Sequence, residues 1–123
     1  MAREDLWRAL ADAADPMQQA IAEWEQDNTP ATRAKADTTC RTFLDRLDPI
    51  LGHETTFRLE ASWQAVMDAC DRKEQLRATM ATQSTSDEAD AELMRRLGLE
   101  IEAALKAFEL VEAATQAALD EAL

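Results

Sequence analysis

The stretch over residues 87–122 constrains the fold more than any other feature of the sequence. Apolar residues recur there every three or four positions over 36 residues, and no proline interrupts them. This spacing places the apolar side chains on one face of an α-helix, and at a rise of 1.5 Å per residue the helix would be about 54 Å long. We therefore predict one long C-terminal helix, which either bends near Gly98 or extends beyond its neighbours. The recurring positions are Leu93, Leu97, Ile101, Ala104, Leu105, Phe108, Val111, Thr115, Ala118, Leu119 and Ala122.

Three shorter segments, at about residues 3–27, 30–48 and 57–82, have the same spacing. Their apolar positions are Leu6, Leu10, Ala13, Met17, Ala20, Ile21 and Trp24, then Ala36, Cys40, Phe43, Leu44 and Leu47, then Leu59, Trp63, Val66, Met67, Cys70, Leu76 and Met80. Only two glycines and three prolines interrupt the chain, and only two valines and three isoleucines are present to favour strands. The sequence predicts an all-α fold, an antiparallel bundle of about four helices that forms a single domain over residues 1–123.

Two proline motifs mark helix starts in the first part of the chain. Asp15 and Pro16 fit an N-cap followed by a proline at the first helical position. The apolar stripe stays in phase across Pro16, which favours a kinked first helix or two nearly coaxial helices. Thr29 and Pro30 have the same arrangement and are expected to begin the second helix.

The second helix is expected to end at Asp48, because the residue before a proline avoids the α region. Ile50 and Leu51 would then fold back over the end of the core. Gly52 would occupy a left-handed turn position.

Hydroxyl residues are expected to cap the last two helices. Thr55 or Thr56 would cap the third helix. Ser84 and Thr85 each stand three residues before an acidic residue, the spacing of a capping box, and would mark the start of the fourth helix.

The charge is strongly negative and unevenly distributed. Thirteen basic and twenty-five acidic residues give a net charge of −12. Residues 1–28 carry −5 and residues 83–123 carry −7, whereas residues 29–53 and 54–82 carry +1 and −1. In an up-down-up-down bundle the first and fourth helices are neighbours, so their outer faces would form one surface, which we call the acidic wall. Such a charge disfavours direct binding to nucleic acids and to anionic membranes.

Several other classes of site are disfavoured by the sequence. Cys40 and Cys70 are too few for a disulfide scaffold, and their place in helical patterns favours buried free thiols. The single histidine, His53, falls in an expected loop and forms no Glu-x-x-His pair, so we predict no metal site and no cofactor. No secretory signal and no apolar run of about 18 residues is present, which favours the cytoplasm.

The sequence favours a small acidic protein-binding module of the inhibitor, adaptor or chaperone type. Its partner would be a basic or helical protein, and the acidic wall could imitate the charge of a nucleic acid to block a nucleic-acid-binding machine. Trp7 stands beside the first apolar stripe, at an edge suited to an interface. We also predict a homodimer through the far end of the last helix, where an overhanging apolar stripe would need cover. The residues predicted to bind partners are Glu100, Glu102, Glu109, Glu112, Phe108, Val111, Leu119 and Trp7.

An enzyme remains the alternative. Carboxylate pairs at helical spacing in the third and fourth helices could hold Mg²⁺ in an all-helical nucleotide hydrolase. These pairs are Asp68 with Asp71, Asp71 with Glu74, Asp87 with Asp90 and Glu109 with Glu112. With twenty-five acidic residues such pairs also arise by chance. The sequence therefore favours a non-enzymatic role and predicts no catalytic residue.

Overall fold

The protein is all-α, as the sequence predicts. In the computed structural model, which describes residues 3–82 and 88–122, four helices account for nearly every residue: α1 (Arg3–Gln26), α2 (Pro30–Leu51), α3 (His53–Ala81) and α4 (Glu88–Ala122). No strand occurs in those two ranges. The chain divides into two compact units, Met1–Glu60 and Ala61–Leu123. The antiparallel order of all four helices and their membership of one domain stay predictions.

In the first unit, polar contacts join α1 to α2 at both ends. The Arg46 guanidinium donates to the carbonyl of Ala9 (2.9 Å), and the Lys35 ammonium lies 3.2 Å from a carboxylate oxygen of Glu23. The first contact joins the end of α2 to the first half of α1, and the second joins the start of α2 to the end of α1. The two helices therefore run antiparallel as a hairpin. The apolar stripes predicted for both helices are confirmed, with Leu6 and Ile21 half-buried. The first unit also buries Thr56 and Leu59 at the start of α3. The buried residues of α1 and α2 are Leu10, Ala13, Met17, Ala20, Trp24, Ala36, Cys40, Phe43, Leu44 and Leu47.

Helix α1 continues through Pro16 as a single helix, so no new helix begins there. The start of α2 is confirmed at Thr29 and Pro30. The Thr29 hydroxyl accepts from the backbone N–H of Thr32 (3.1 Å), and the Thr32 hydroxyl accepts from the backbone N–H of Thr29 (3.0 Å). This reciprocal capping box satisfies backbone donors that the first turn would otherwise leave unpaired.

The turn between α2 and α3 differs from the sequence prediction. Pro49 does not end α2, which runs on to Leu51. A proline in the last turn removes one backbone donor, and the turn still closes because the Gly52 N–H donates to the Asp48 carbonyl (2.9 Å). Ile50 and Leu51 are accordingly the last helical residues, half-buried, and do not fold back.

Gly52 alone separates α2 from α3. Its φ of 88° has the sign expected for a left-handed turn, but its ψ of 166° places it instead in an extended region that is essentially restricted to glycine. Helix α3 then begins at His53, so neither Thr55 nor Thr56 is its cap. Both threonines lie inside the helix, and the Thr56 hydroxyl donates to the Gly52 carbonyl (2.9 Å).

The second unit contains most of α3 and all of α4. The rings of Trp63 and Phe108 lie 5.1 Å apart between centroids at an interplanar angle of 59°, a separation typical of favourable aromatic pairs. Between the second half of α3 and the first half of α4, the Arg72 guanidinium lies 3.2 Å from the Glu100 carboxylate. The predicted caps Ser84 and Thr85 lie outside the described residues. The buried residues of this unit are Trp63, Val66, Met67, Ala69, Cys70, Leu97, Ile101, Phe108, Thr115 and Leu119.

Candidate partner-binding surface

Helix α4 has a buried face, which we call the inner face. It corresponds to the stripe predicted from the sequence, except that Leu93 is exposed. The one polar member, Thr115, directs its hydroxyl to the Val111 carbonyl (2.8 Å), so this buried group is hydrogen-bonded within the helix. The inner face consists of Leu97, Ile101, Phe108, Thr115 and Leu119.

Burial of the inner face corrects one expectation about the end of α4. The sequence predicted that Phe108, Val111 and Leu119 would overhang the rest of the protein, exposed until a second copy covered them. Phe108 and Leu119 are instead 1% and 4% exposed within a single chain, and Val111 is half-buried. The prediction that these side chains are exposed, which motivated the homodimer, is therefore wrong. The homodimer itself stays a prediction.

A second apolar row runs along the opposite side of α4, and the sequence analysis missed it. Leu99 and Leu110 are 52% and 73% exposed, and they stand eleven residues apart, about three helical turns, on one side of the helix. Small side chains fill most of the positions between and beyond them. We call this row the outer face. It consists of Leu99, Ala103, Lys106, Leu110, Ala113 and Ala117, all exposed.

The outer face follows a heptad pattern, which was the signal available in the sequence. Its members are separated alternately by four and three residues, the spacing of a and d positions in a coiled coil. The stronger stripe of the inner face hid this pattern, because large side chains such as Phe108 and Ile101 outweigh alanines when apolar residues are counted.

Acidic side chains line the outer face. Glu102 and Glu109 occupy equivalent positions one heptad apart along one edge, and both are exposed. Neither makes an ion pair within residues 3–82 and 88–122. Glu100, on the other edge, is held by Arg72 of α3. Of the four predicted acidic residues, these three therefore border one surface.

The fourth predicted acid, Glu112, lies between the two faces. Partial burial raises the pKa of its carboxyl, and the charge of Glu109 one turn earlier raises it further. A half-buried carboxylate with a raised pKa opposes folding at neutral pH. Glu112 is therefore less available to a partner than Glu102 or Glu109.

The charge of α4 changes along its length. Before Gly98, Arg95 and Arg96 both contact Glu92, at 2.6 Å and 3.6 Å, and the Arg95 hydrogen bonds lower the pKa of that carboxyl. This first part, residues 88–98, carries three acids and two arginines, net −1. From residue 99 to 122 there are six acids and one lysine, net −5. The excess negative charge coincides with the outer face.

The remaining predicted residue, Trp7, is half-buried in α1, in the first unit. The acidic wall would combine α1 and α4, which belong to different units, and it stays a prediction. Cys40 and Cys70 are buried free thiols, as expected.

The residues proposed for Mg²⁺ binding form no recognisable metal site. No group of three or more His, Cys, Asp or Glu side chains placed to hold a metal ion occurs in the described part of the chain. Glu74, one of the proposed ligands, lies 3.9 Å from the guanidinium of Arg77 in the next turn. The carboxylate pairs of α3 thus resemble an ordinary charged surface.

Comparison with known proteins places the chain in no family: no family model, no curated protein and no solved structure matches it. Among the described residues, none of the helices combines the length and the apolar character that a membrane crossing requires.

Proposed function

We propose that this protein is a small acidic binding module that acts on a basic protein partner. The observation that carries the proposal is the outer face of α4, where two exposed leucines are bordered by Glu102 and Glu109. Interfaces combine an apolar centre with a polar rim. This surface has exposed leucines and alanines, interrupted by Lys106, with acidic side chains along its edge.

The state of the acidic side chains supports binding over mere solubility. Where α4 carries arginines, they contact the neighbouring Glu92. Beside the outer face, Glu102 and Glu109 make no ion pair in the described residues. Lys106 lies one turn from each of them, but it is the one basic residue against six acids from residue 99 to 122. A concentrated negative potential beside exposed apolar surface would accelerate encounter with a basic partner.

An inhibitor, adaptor or chaperone would each use such a surface, and imitation of nucleic-acid charge is one way in which an inhibitor would do so. All of these functions require a positively charged surface on the partner. They also require a partner contact that depends on salt, because exposed charges are screened over about 8–10 Å at physiological ionic strength.

Charge reversal tests the proposal. A stoichiometric partner is isolated with the tagged chain at low salt from the cells that make it, and is purified separately. Its affinity for the chain is then measured by calorimetry. We expect the Glu102→Lys/Glu109→Lys variant to bind about tenfold more weakly or worse, and the wild-type affinity to fall as salt rises from about 50 to about 300 mM.

The matched control reverses two acids in the first unit. Glu25 and Asp45 are exposed, so Glu25→Lys/Asp45→Lys makes the same change in net charge on α1 and α2 instead of α4. This control is expected to keep most of the affinity. If both variants weaken binding equally, the effect is one of total charge, and the outer face has no special role.

A further inference from the structure

We infer that the outer face of α4 binds an amphipathic helix with basic flanks, contributed by another protein. This inference rests on the proposed function and specifies the partner. The geometry points to a helix because the exposed row has the period of a helix pair: Leu99, Leu110 and the residues between and beyond them alternate at spacings of four and three.

The size of the row suits one helix of ordinary length. From Leu99 to Ala117 the outer face spans eighteen residue steps, about 27 Å. Alanines at 103, 113 and 117 leave room for a close approach, and the two leucines are the only large apolar side chains in the row. Helices that meet through small residues approach at the short end of the usual 8–10 Å axial distance.

The charges beside the row select the flanks of the partner. In a two-stranded helix pair, the residues next to the apolar seam face the corresponding residues of the other helix. Glu102 and Glu109 would therefore lie opposite flanking residues of the partner, and lysines or arginines there would make favourable pairs. Glu100 would add to this attraction from the other edge, although it is shared with Arg72.

A second copy of the chain fits this face poorly. In an antiparallel pair of α4 helices centred on the row from Leu99 to Ala117, Glu109 of one copy would lie near Glu109 of the other. In a parallel pair, Lys106 would meet its own counterpart in the seam. Either direction places like charges together, which opposes association.

A designed peptide provides the probe. It contains three heptads, about 21 residues, with leucine at the seam positions and lysine on both flanks. The comparison peptide has the same composition in scrambled order. We expect the full chain to bind one copy of the designed peptide, at least about tenfold more tightly than the scrambled one.

Substitutions on the outer face distinguish binding through apolar contact from binding through charge attraction alone. Leu99→Ser/Leu110→Ser removes apolar contact without changing charge, and is expected to weaken peptide binding by more than about tenfold. Phe57→Ser is the control, because Phe57 is an equally exposed apolar residue (57%) on α3. It is expected to leave the affinity within about twofold.

Each other result overturns the inference. Equal binding of the two peptides, or peptide binding that the leucine variant leaves unchanged, would mean attraction by charge alone. A wild-type dimer in sedimentation that the leucine variant dissociates would identify a second copy as the occupant.

Failure of the inference differs from failure of the proposed function. If the designed peptide does not bind selectively, yet the purified natural partner still loses affinity with Glu102→Lys/Glu109→Lys, the proposed function stands with a partner that is not a helix. If the natural partner is indifferent to that reversal, the proposed function fails, whatever the peptide does.

Discussion

The inner and outer faces of α4 belong to the same helix, and both have a regular helical pattern of apolar residues, yet one is buried and the other is exposed. The inner face uses large side chains such as Phe108 and Ile101. The outer face mixes leucines with alanines and carries Lys106 in its centre. Burial therefore follows the size of the side chains and the absence of charge rather than periodicity. The regular exposed row is the observation behind the proposed partner surface.

The largest effect is expected on the inner face. Phe108→Ala would remove a fully buried aromatic side chain together with its contact to Trp63, 5.1 Å away between ring centroids. Large-to-small changes of this kind destabilise by about 3–5 kcal/mol, because the lost contacts leave a cavity. Urea unfolding followed by circular dichroism measures the change. A loss below about 1 kcal/mol would contradict the burial of Phe108.

Much of this contrast was predictable from sequence, and the part that was not has a clear reason. The residues of the inner face follow from spacing alone, because periods of three and four place them on one side of any helix. Their exposure was inferred from the difference in helix lengths, and α3 turned out longer than expected because it begins at His53. With 29 residues in α3 and 35 in α4, the difference of six residues is only about 9 Å.

The prediction of the turn between α2 and α3 failed for a different reason. Rules for Pro49 and for Thr55 describe average preferences, whereas a single glycine with a positive φ is enough to join two helices directly. The outer face was missed because its alanines carry little weight in a count of apolar residues. Its leucines at 99 and 110 would have revealed it if a second stripe had been sought.

A smaller and opposite effect is expected where the two faces meet. Gly98 is half-buried in the interior of α4, and a Cβ there would meet only the Lys73 ammonium, at 3.8 Å. Gly98→Ala should therefore stabilise the protein by up to about 1 kcal/mol through helix propensity. Thermal unfolding should show a higher midpoint.

Gly52→Ala is the matched control for this substitution. A Cβ on Gly52 would meet no atom within 4 Å, but its φ of 88° is strained for any L-residue. This variant is expected to lower stability by about 1 kcal/mol or more. If both variants were stabilising, the positive φ of Gly52 would be wrong. If both were destabilising, α4 would not be a regular helix at Gly98.

A weaker effect is expected at Glu112, also at the border of the two faces. Burial and Glu109 raise the pKa of Glu112 in the folded protein, so its ionisation opposes folding. That penalty is fully present above the folded pKa and disappears as the pH falls below the ordinary value for glutamate, about 4.3. Glu112→Gln should stabilise the protein by about 0.5 kcal/mol or less at pH 7, because the half-buried side chain keeps part of its contact with water.

The pH dependence identifies the cause of that effect. Urea unfolding of both proteins from pH 4 to pH 7 should show the difference growing with pH, because the ionised fraction of wild-type Glu112 rises with pH. Glu102→Gln is the control, since Glu102 is exposed and lies outside the inner face. A Glu112→Gln effect that is constant with pH would assign the change to packing and not to charge.

The smallest change in stability is expected on the outer face, where the contrast between the two faces is most open to test. Leu110 is 73% exposed, so Leu110→Ser returns little apolar surface to water and should change the free energy of unfolding by no more than about 0.5 kcal/mol. Phe108→Ala, two positions away, is expected to lower the free energy of unfolding several times more. The comparison needs both variants in the same denaturation assay. If Leu110→Ser proved as damaging as Phe108→Ala, Leu110 would be covered within the folded chain, and the outer face would belong to the core and have no surface to offer a partner.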